Sequence, residues 1–110
     1  MLLCTTENIG HEYEVIGLVR GNCIQSKNIV RDFTQGLKNI VGGELGEYTK
    51  MMEEARTTAT DRMVEHATKL NADAIVMIRY GTGSVSPESA EVLAYGTAVK
   101  FTDWNYSFFY

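Results

Sequence analysis

The sequence predicts an α+β domain, a two-layer α/β sandwich of β-α-β-β order, and three observations carry that expectation. Strand-like apolar patterns occur in Tyr13 to Arg20, Ala74 to Tyr80 and Val92 to Phe101. Between the first two, the apolar period changes to three and four, the mark of amphipathic helices. A length of 110 residues, 45% hydrophobic and 22% charged, fits one folded domain with a single core.

Taken in order, Leu2 to Thr5 is a short apolar and β-branched run that suits an edge strand. Asn8 to Glu12, with Gly10, reads as a turn. Tyr13 to Arg20 is the first main strand, with Tyr13, Val15 and Val19 on one side and Ile16 and Leu18 on the other. Gly17 inside it predicts a bulge or a close backbone approach. After Gly21-Asn22, Ile29, Val30, Phe33, Leu37, Ile40 and Val41 form one helical stripe, with Ser26 as N-cap. Gly36 costs that helix about 1 kcal/mol relative to alanine. Gly42-Gly43 ends it, because glycine enters the left-handed region without a Cβ penalty.

A second helix follows from Glu47 to Leu70, its stripe formed by Tyr48, Met51, Met52, Ala55, Ala59, Met63, Ala67 and Leu70. Glu53 and Arg56, and Glu65 and Lys69, are spaced for surface pairs on its charged face. Asn71 stands where a left-handed C′ residue is needed. Ala74 to Tyr80 is a nearly unbroken apolar run, a buried strand. Gly81 to Ser89, with Pro87, is a polar loop, and Val92 to Phe101 is apolar on both faces in its middle. These pieces predict a three-stranded antiparallel/mixed sheet of order 1-3-2, with the Val92 strand central and two consecutive helices in the right-handed crossover. A helix of about 24 residues is roughly 36 Å long, whereas strands of this length span about 25 Å. The helix should overhang its sheet, which argues for an oligomer.

Composition narrows the function classes. Fourteen acidic against ten basic residues give a net charge of −4, the wrong sign for binding that rests on neutralising phosphates. No run approaches the roughly 18 to 20 apolar residues of a membrane span, and the N-terminus lacks a signal-peptide pattern. Neither nucleic acid nor membrane is an expected partner; a cytoplasmic location is expected. There Cys4 and Cys23 are free thiols.

Several blocks together resemble one family: Val19-Arg-Gly, Gly36-Leu-Lys-Asn-Ile-Val-Gly-Gly-Glu-Leu, Tyr48-Thr-Lys-Met, Ala72-Asp-Ala-Ile, Met77-Ile-Arg-Tyr and Glu91-Val-Leu-Ala-Tyr-Gly-Thr-Ala-Val. The chain resembles the YbjQ-like family (UPF0145), small bacterial and archaeal proteins of uncharacterised function. The resemblance implies a dodecin-like β-α-β-β subunit and a homopentamer joined through short extra strands. It also brings a heavy-metal-binding label, although no Cys-x-x-Cys or Met-x-Cys-x-x-Cys spacing occurs in this chain. The domain then spans residues 1–102. Residues 103–110 form a tail with five aromatics, whose rings either cap the domain's own core or dock on a neighbouring subunit or partner.

The candidate metal ligands are Cys4, Cys23 and His11: two thiolates meeting near the end of the first strand, with the imidazole as third ligand. Cysteine also serves as a small core hydrophobe. Met51, Met52 and Met63 suit the core by their helical spacing, and His66 suits a solvated surface beside Arg62 and Lys69. Arg20, Arg31, Arg79, Glu44 and Glu91 could line a polar pocket or an ion-pair ring between subunits. Gly81-Thr-Gly-Ser lacks the lysine of a phosphate loop, and no Ser, His and Asp set has a nucleophile-elbow context, so no catalytic residue and no cofactor is assigned. The expected function is a non-enzymatic homo-oligomeric binding protein with a metal ion or small molecule at subunit interfaces. The alternatives are a structural or interaction module using the aromatic tail, or an enzyme with an intersubunit site.

Overall fold

A computed structural model describes residues 1–26, 46–86 and 89–103. Four strands form one mixed sheet: β1 (Leu2–Leu3), β2 (Tyr13–Ser26), β3 (Ala74–Ser86) and β4 (Ser89–Phe101). One helix, α1 (Gly46–Lys69), is described and lies over β2 and β4. The strand order is β1-β3-β4-β2, with β1 parallel to β3 and the other neighbours antiparallel.

This corrects the expected three-stranded sheet of order 1-3-2. The sheet has four strands because the N-terminal run adds to the outer edge of β3. Cys4 N–H donates to the Ile75 carbonyl (3.0 Å), and Ile78 N–H donates to the Cys4 carbonyl (3.0 Å). The strands are also longer than their apolar patterns. β2 runs straight through Gly21-Asn22 to Ser26, where the strand ends. The loop expected over Gly81 to Ser89 is mostly strand, since β3 and β4 stay paired out to Ser86 and Ser89. Polar residues hide such extensions, because a paired strand projecting beyond the core has no apolar face to bury. The helix expected over 26–41 and the Gly42-Gly43 corner lie outside the described residues, as does the aromatic tail from 104 onward.

Gly21 shows why the second layer sits where it does. A Cβ there would run into the helix backbone at Met63 N and Ala59 O and stand 2.7 Å from the carbonyl carbon of Arg62. The helix therefore rests directly on bare β2 backbone. Ala55, Ala59, Met63 and Ala67 line that contact and are all buried, as the predicted stripe requires; Leu70 is exposed. Val19, Cys23, Ile75, Ile78, Val92, Ala94 and Ala98 complete the core from the sheet.

Two bulges set which face each side chain takes. The register slips between Val15 and Gly17, where Gly17 has φ +155°. Val15 and Val19 consequently part: Val15 aligns with Val99 and is exposed, while Val19 is buried against the helix. Sequence alternation alone had placed them together. The second slip lies between Val76 and Arg79, with Met77 at φ +54°. It allows Ile75 and Ile78, three residues apart, to enter one core.

The helix end follows the sequence closely. Asn71 has φ +59°. Its N–H donates to the Thr68 carbonyl (3.0 Å) and Ala72 N–H to the Ala67 carbonyl (3.1 Å), the paired bonds of a Schellman stop.

Candidate functional site

The sheet has one face under α1 and one only half covered. On the uncovered side, Ile9, Tyr13 and Phe101 pack over Ala74, Val76 and Val99 at one end. Further up, Arg20 of β2, Tyr95 of β4 and Arg79 of β3 stand side by side in register. Leu18 lies below Arg20 and Ile24 above it, respectively 65% and 54% exposed, so charged and apolar groups alternate over an open surface. Glu91 accepts from Asn22 Nδ2 (2.8 Å), and Arg79 Nη1 donates to the Thr5 carbonyl (3.0 Å). Of the five residues expected to line a polar pocket, Arg20, Arg79 and Glu91 thus share this face. Arg31 and Glu44 lie outside the described residues.

The free edge of β2 is closed by the helix. Arg62 Nη1 donates to the Asn22 carbonyl (2.6 Å), and His66 Nδ1 accepts from Arg20 N–H (3.3 Å). His66 is exposed, as the sequence predicted, and also caps the strand edge. The signal that could have found it is its i, i+4 spacing from Arg62 above a strand.

The three candidate metal ligands do not meet within one chain. Cys4 follows β1, and Cys23 is buried in the helix-side core of β2, three strand spacings or about 14 Å across the sheet. Cys23 also lies ten residues along β2 from Tyr13, about 33 Å at the usual strand rise, and His11 is beyond that lower end. Among the described residues, no group of three or more His, Cys, Asp or Glu side chains could hold a metal ion.

His11 nonetheless has a constructed setting. Its ring stacks on Phe101, with centroids 4.1 Å apart and planes at 12°. Its Nδ1 is 3.1 Å from Asp103 Oδ1, and the other oxygen of that carboxylate accepts from Glu12 N–H (3.0 Å). Asp103 is held below the usual carboxylate range, first by the Glu12 amide hydrogen bond, which desolvation opposes and the His11 hydrogen bond and charge reinforce. At neutral pH the carboxylate is ionised and can only accept, so the proton between the two groups sits on His11 Nδ1. Sequence reasoning missed Asp103, which it assigned to the tail; 92 residues separate the partners, and only the Tyr13–Phe101 pairing brings them together.

A depressed carboxylate stabilises the fold above its unfolded pKa and loses that contribution as pH falls through its folded value. Asp103→Asn should therefore be less stable than the wild type at neutral pH, and the gap should close as pH falls below the ordinary carboxylate range. Thermal melts of both proteins across pH 2 to 7 would check this. A gap that persists unchanged in acid would assign the effect to lost packing instead.

The comparisons with known proteins agree with this architecture. A family model described as "Putative heavy-metal-binding" matches residues 1–102. The chain is 55% identical to a UPF0145 protein of Lactiplantibacillus plantarum over 92% of its own length and 89% of the relative's. It is also 55% identical to a UPF0145 protein of Clostridium novyi, over 91% of this chain and 98% of that one. A crystal structure of a protein of unknown function from Pediococcus pentosaceus, of the DUF74 family, has the same fold. The TM-score is 0.65 at 19% identity, covering 92% of this chain and 97% of that chain.

Proposed function

This chain is a member of the YbjQ-like UPF0145 family, and from that premise we propose a non-enzymatic homo-oligomeric binding protein with its ligand, a heavy-metal ion or small molecule, where subunits meet. The observation that carries this reading is the open sheet face, where Val15, Leu18, Ile24 and Tyr95 are 66%, 65%, 54% and 39% exposed. Apolar side chains at that exposure, spread over adjacent strands, gain by being covered, at roughly 25 cal/mol per Å² removed from water.

The sheet edges favour the same reading. β1 covers β3 only at Ala74 and Ile75, and beyond Met77 and Ile78, which bond to the residues after β1, its outer edge continues to Ser86. The edge of β2 is capped at Arg20 and Asn22. Among the described residues one edge is open and the other partly blocked, which favours a directional contact, and directional contacts repeated around an axis close into rings. Five subunits is the count that the family resemblance suggests. Location in the cytosol belongs to the same proposal; among the described residues no helix is long and apolar enough to cross a membrane.

Light scattering of the purified chain tests it. A single species of about five subunits is expected. Leu18→Glu, which puts a charge on the open face without touching the helix-side core, should shift the protein to smaller species while leaving its circular dichroism unchanged. A wild-type chain that stays monomeric at micromolar concentration would refute the reading.

A further inference from the structure

We propose that Arg20, Tyr95 and Arg79 form a binding site for a phosphate monoester, a small molecule whose phosphoryl group sits between the two guanidiniums and whose organic part lies along β3 over Gly81. The inference deepens the binding-protein reading above and rests on it for the role of the open face; what it adds is the class of ligand. The three residues lie in one row across β2, β4 and β3, and all three are exposed. Arg20 and Arg79 stand two strand spacings apart, about 10 Å between backbones, and both side chains are long enough to converge over Tyr95. Two like charges on one face repel unless an acid stands between them. Here none does: the four ion pairs among the described residues use His11, Arg56, Lys69 and Lys100. Glu91, on the same face, is four residues along β4 from Tyr95, about 13 Å at the usual strand rise, and accepts from Asn22. In a chain with fourteen acidic residues, a cationic pair without one is a place for an anion from outside.

The donor set selects the anion. A carboxylate offers two oxygens and one charge, which a single guanidinium satisfies in bidentate fashion. Two guanidiniums and the Tyr95 hydroxyl suit a group with three oxygens and nearly two charges, which is a phosphate monoester at neutral pH. Two cations in an acidic chain match one such group and not the long phosphate row of a nucleic acid. Arg79 is already oriented: its Nη1 donates to the Thr5 carbonyl (3.0 Å) and the Ile78 carbonyl (2.8 Å), so little side-chain freedom is lost when its other N–H groups meet an anion. Room for the organic part lies beside it. Gly81 and Gly83 follow Arg79 on the same face of β3, and a Cβ at either would meet nothing within 4 Å. Leu93, paired with Gly81 and half-buried, gives this shelf an apolar side.

Calorimetric titration of the full, untagged chain with phenyl phosphate and with inorganic phosphate tests the proposal, at low ionic strength and with light scattering run in parallel. Saturable binding of both is expected, tighter for phenyl phosphate. Benzenesulfonate, with three oxygens but one charge, should bind about tenfold more weakly or worse. Arg20→Gln and Arg79→Gln should each weaken phenyl phosphate by about tenfold or more, and Arg56→Gln, which removes a cation on α1, should change nothing. Gly81→Val fills the shelf and should weaken phenyl phosphate while leaving inorganic phosphate at its wild-type affinity. Arg79→Gln also loses the tie to Thr5, so Arg20→Gln is the deciding variant, its melting temperature expected to match the wild type. Wild-type affinity in Arg20→Gln, or an equal loss in Arg56→Gln, would overturn the inference. An oligomer that takes up neither phosphate overturns it and leaves the oligomeric reading in place. A monomer that binds phenyl phosphate through Arg20 upholds it and removes the oligomeric reading alone.

Discussion

Gly21→Ala should lower the stability of the fold by about 3 kcal/mol or more, an effect at the top of the range for overpacking. The added methyl would meet the helix backbone at Ala59 and Met63. Side chains can move aside, but a helix backbone can yield only by lifting the whole of α1 from the sheet. Lifting would expose Ala55, Ala59, Met63 and Ala67 together, all of them buried now. Urea unfolding at fixed protein concentration measures the change, fixed because assembly would add to apparent stability. A loss under about 0.5 kcal/mol would mean that α1 does not rest on β2 as described. Shortening a neighbour should not rescue the variant, because the obstruction is main chain.

Met63→Ala is the second large effect, with an expected loss of about 2 to 5 kcal/mol. Met63 has no exposed surface and is one of the largest fully buried side chains among the described residues, in a layer where the helix otherwise contributes alanines. Those alanines let the helix approach closely, and they leave Met63 to fill the space between Val19, Ile75 and the rest of the core. Its neighbours cannot collapse into the void, because Ala59 and Ala67 on the adjacent turns have nothing to extend. Met63→Leu, close in volume, should cost under about 1.5 kcal/mol. Equal losses for the two variants would show that the site tolerates no change in shape, rather than that it needs volume.

How far the fold could be read depended on whether local chemistry or long-range contact decided each feature. The long helix was legible, since its start near Gly46 and its stop at Asn71 follow from periodicity and a residue that tolerates the left-handed region. The bulge near Gly17 was legible for the same kind of reason. Its consequence was not: a one-residue slip reverses alternation beyond it, and the placement of Val15 and Val19 changed with it. Gly21 falls just beyond a strand read as ending at Arg20, because the helix that requires a bare backbone there comes some forty residues later. The site was least legible. Cys4, Cys23 and His11 looked compatible as a list, yet the sheet order sets the cysteines on different strands and puts His11 beside Asp103.

By itself the sequence determined the class of fold, the family, the helix with its stop, and which runs would be strands. All of these rest on periodicity, turn chemistry and contiguous blocks, interactions between residues close in the chain. The tertiary structure alone decided how many strands join the sheet, how far they extend, which face each side chain takes, and that His11 is locked by Asp103. These depend on register and on pairing across tens of residues, where a shift of one position reverses every face and no local pattern records the partner.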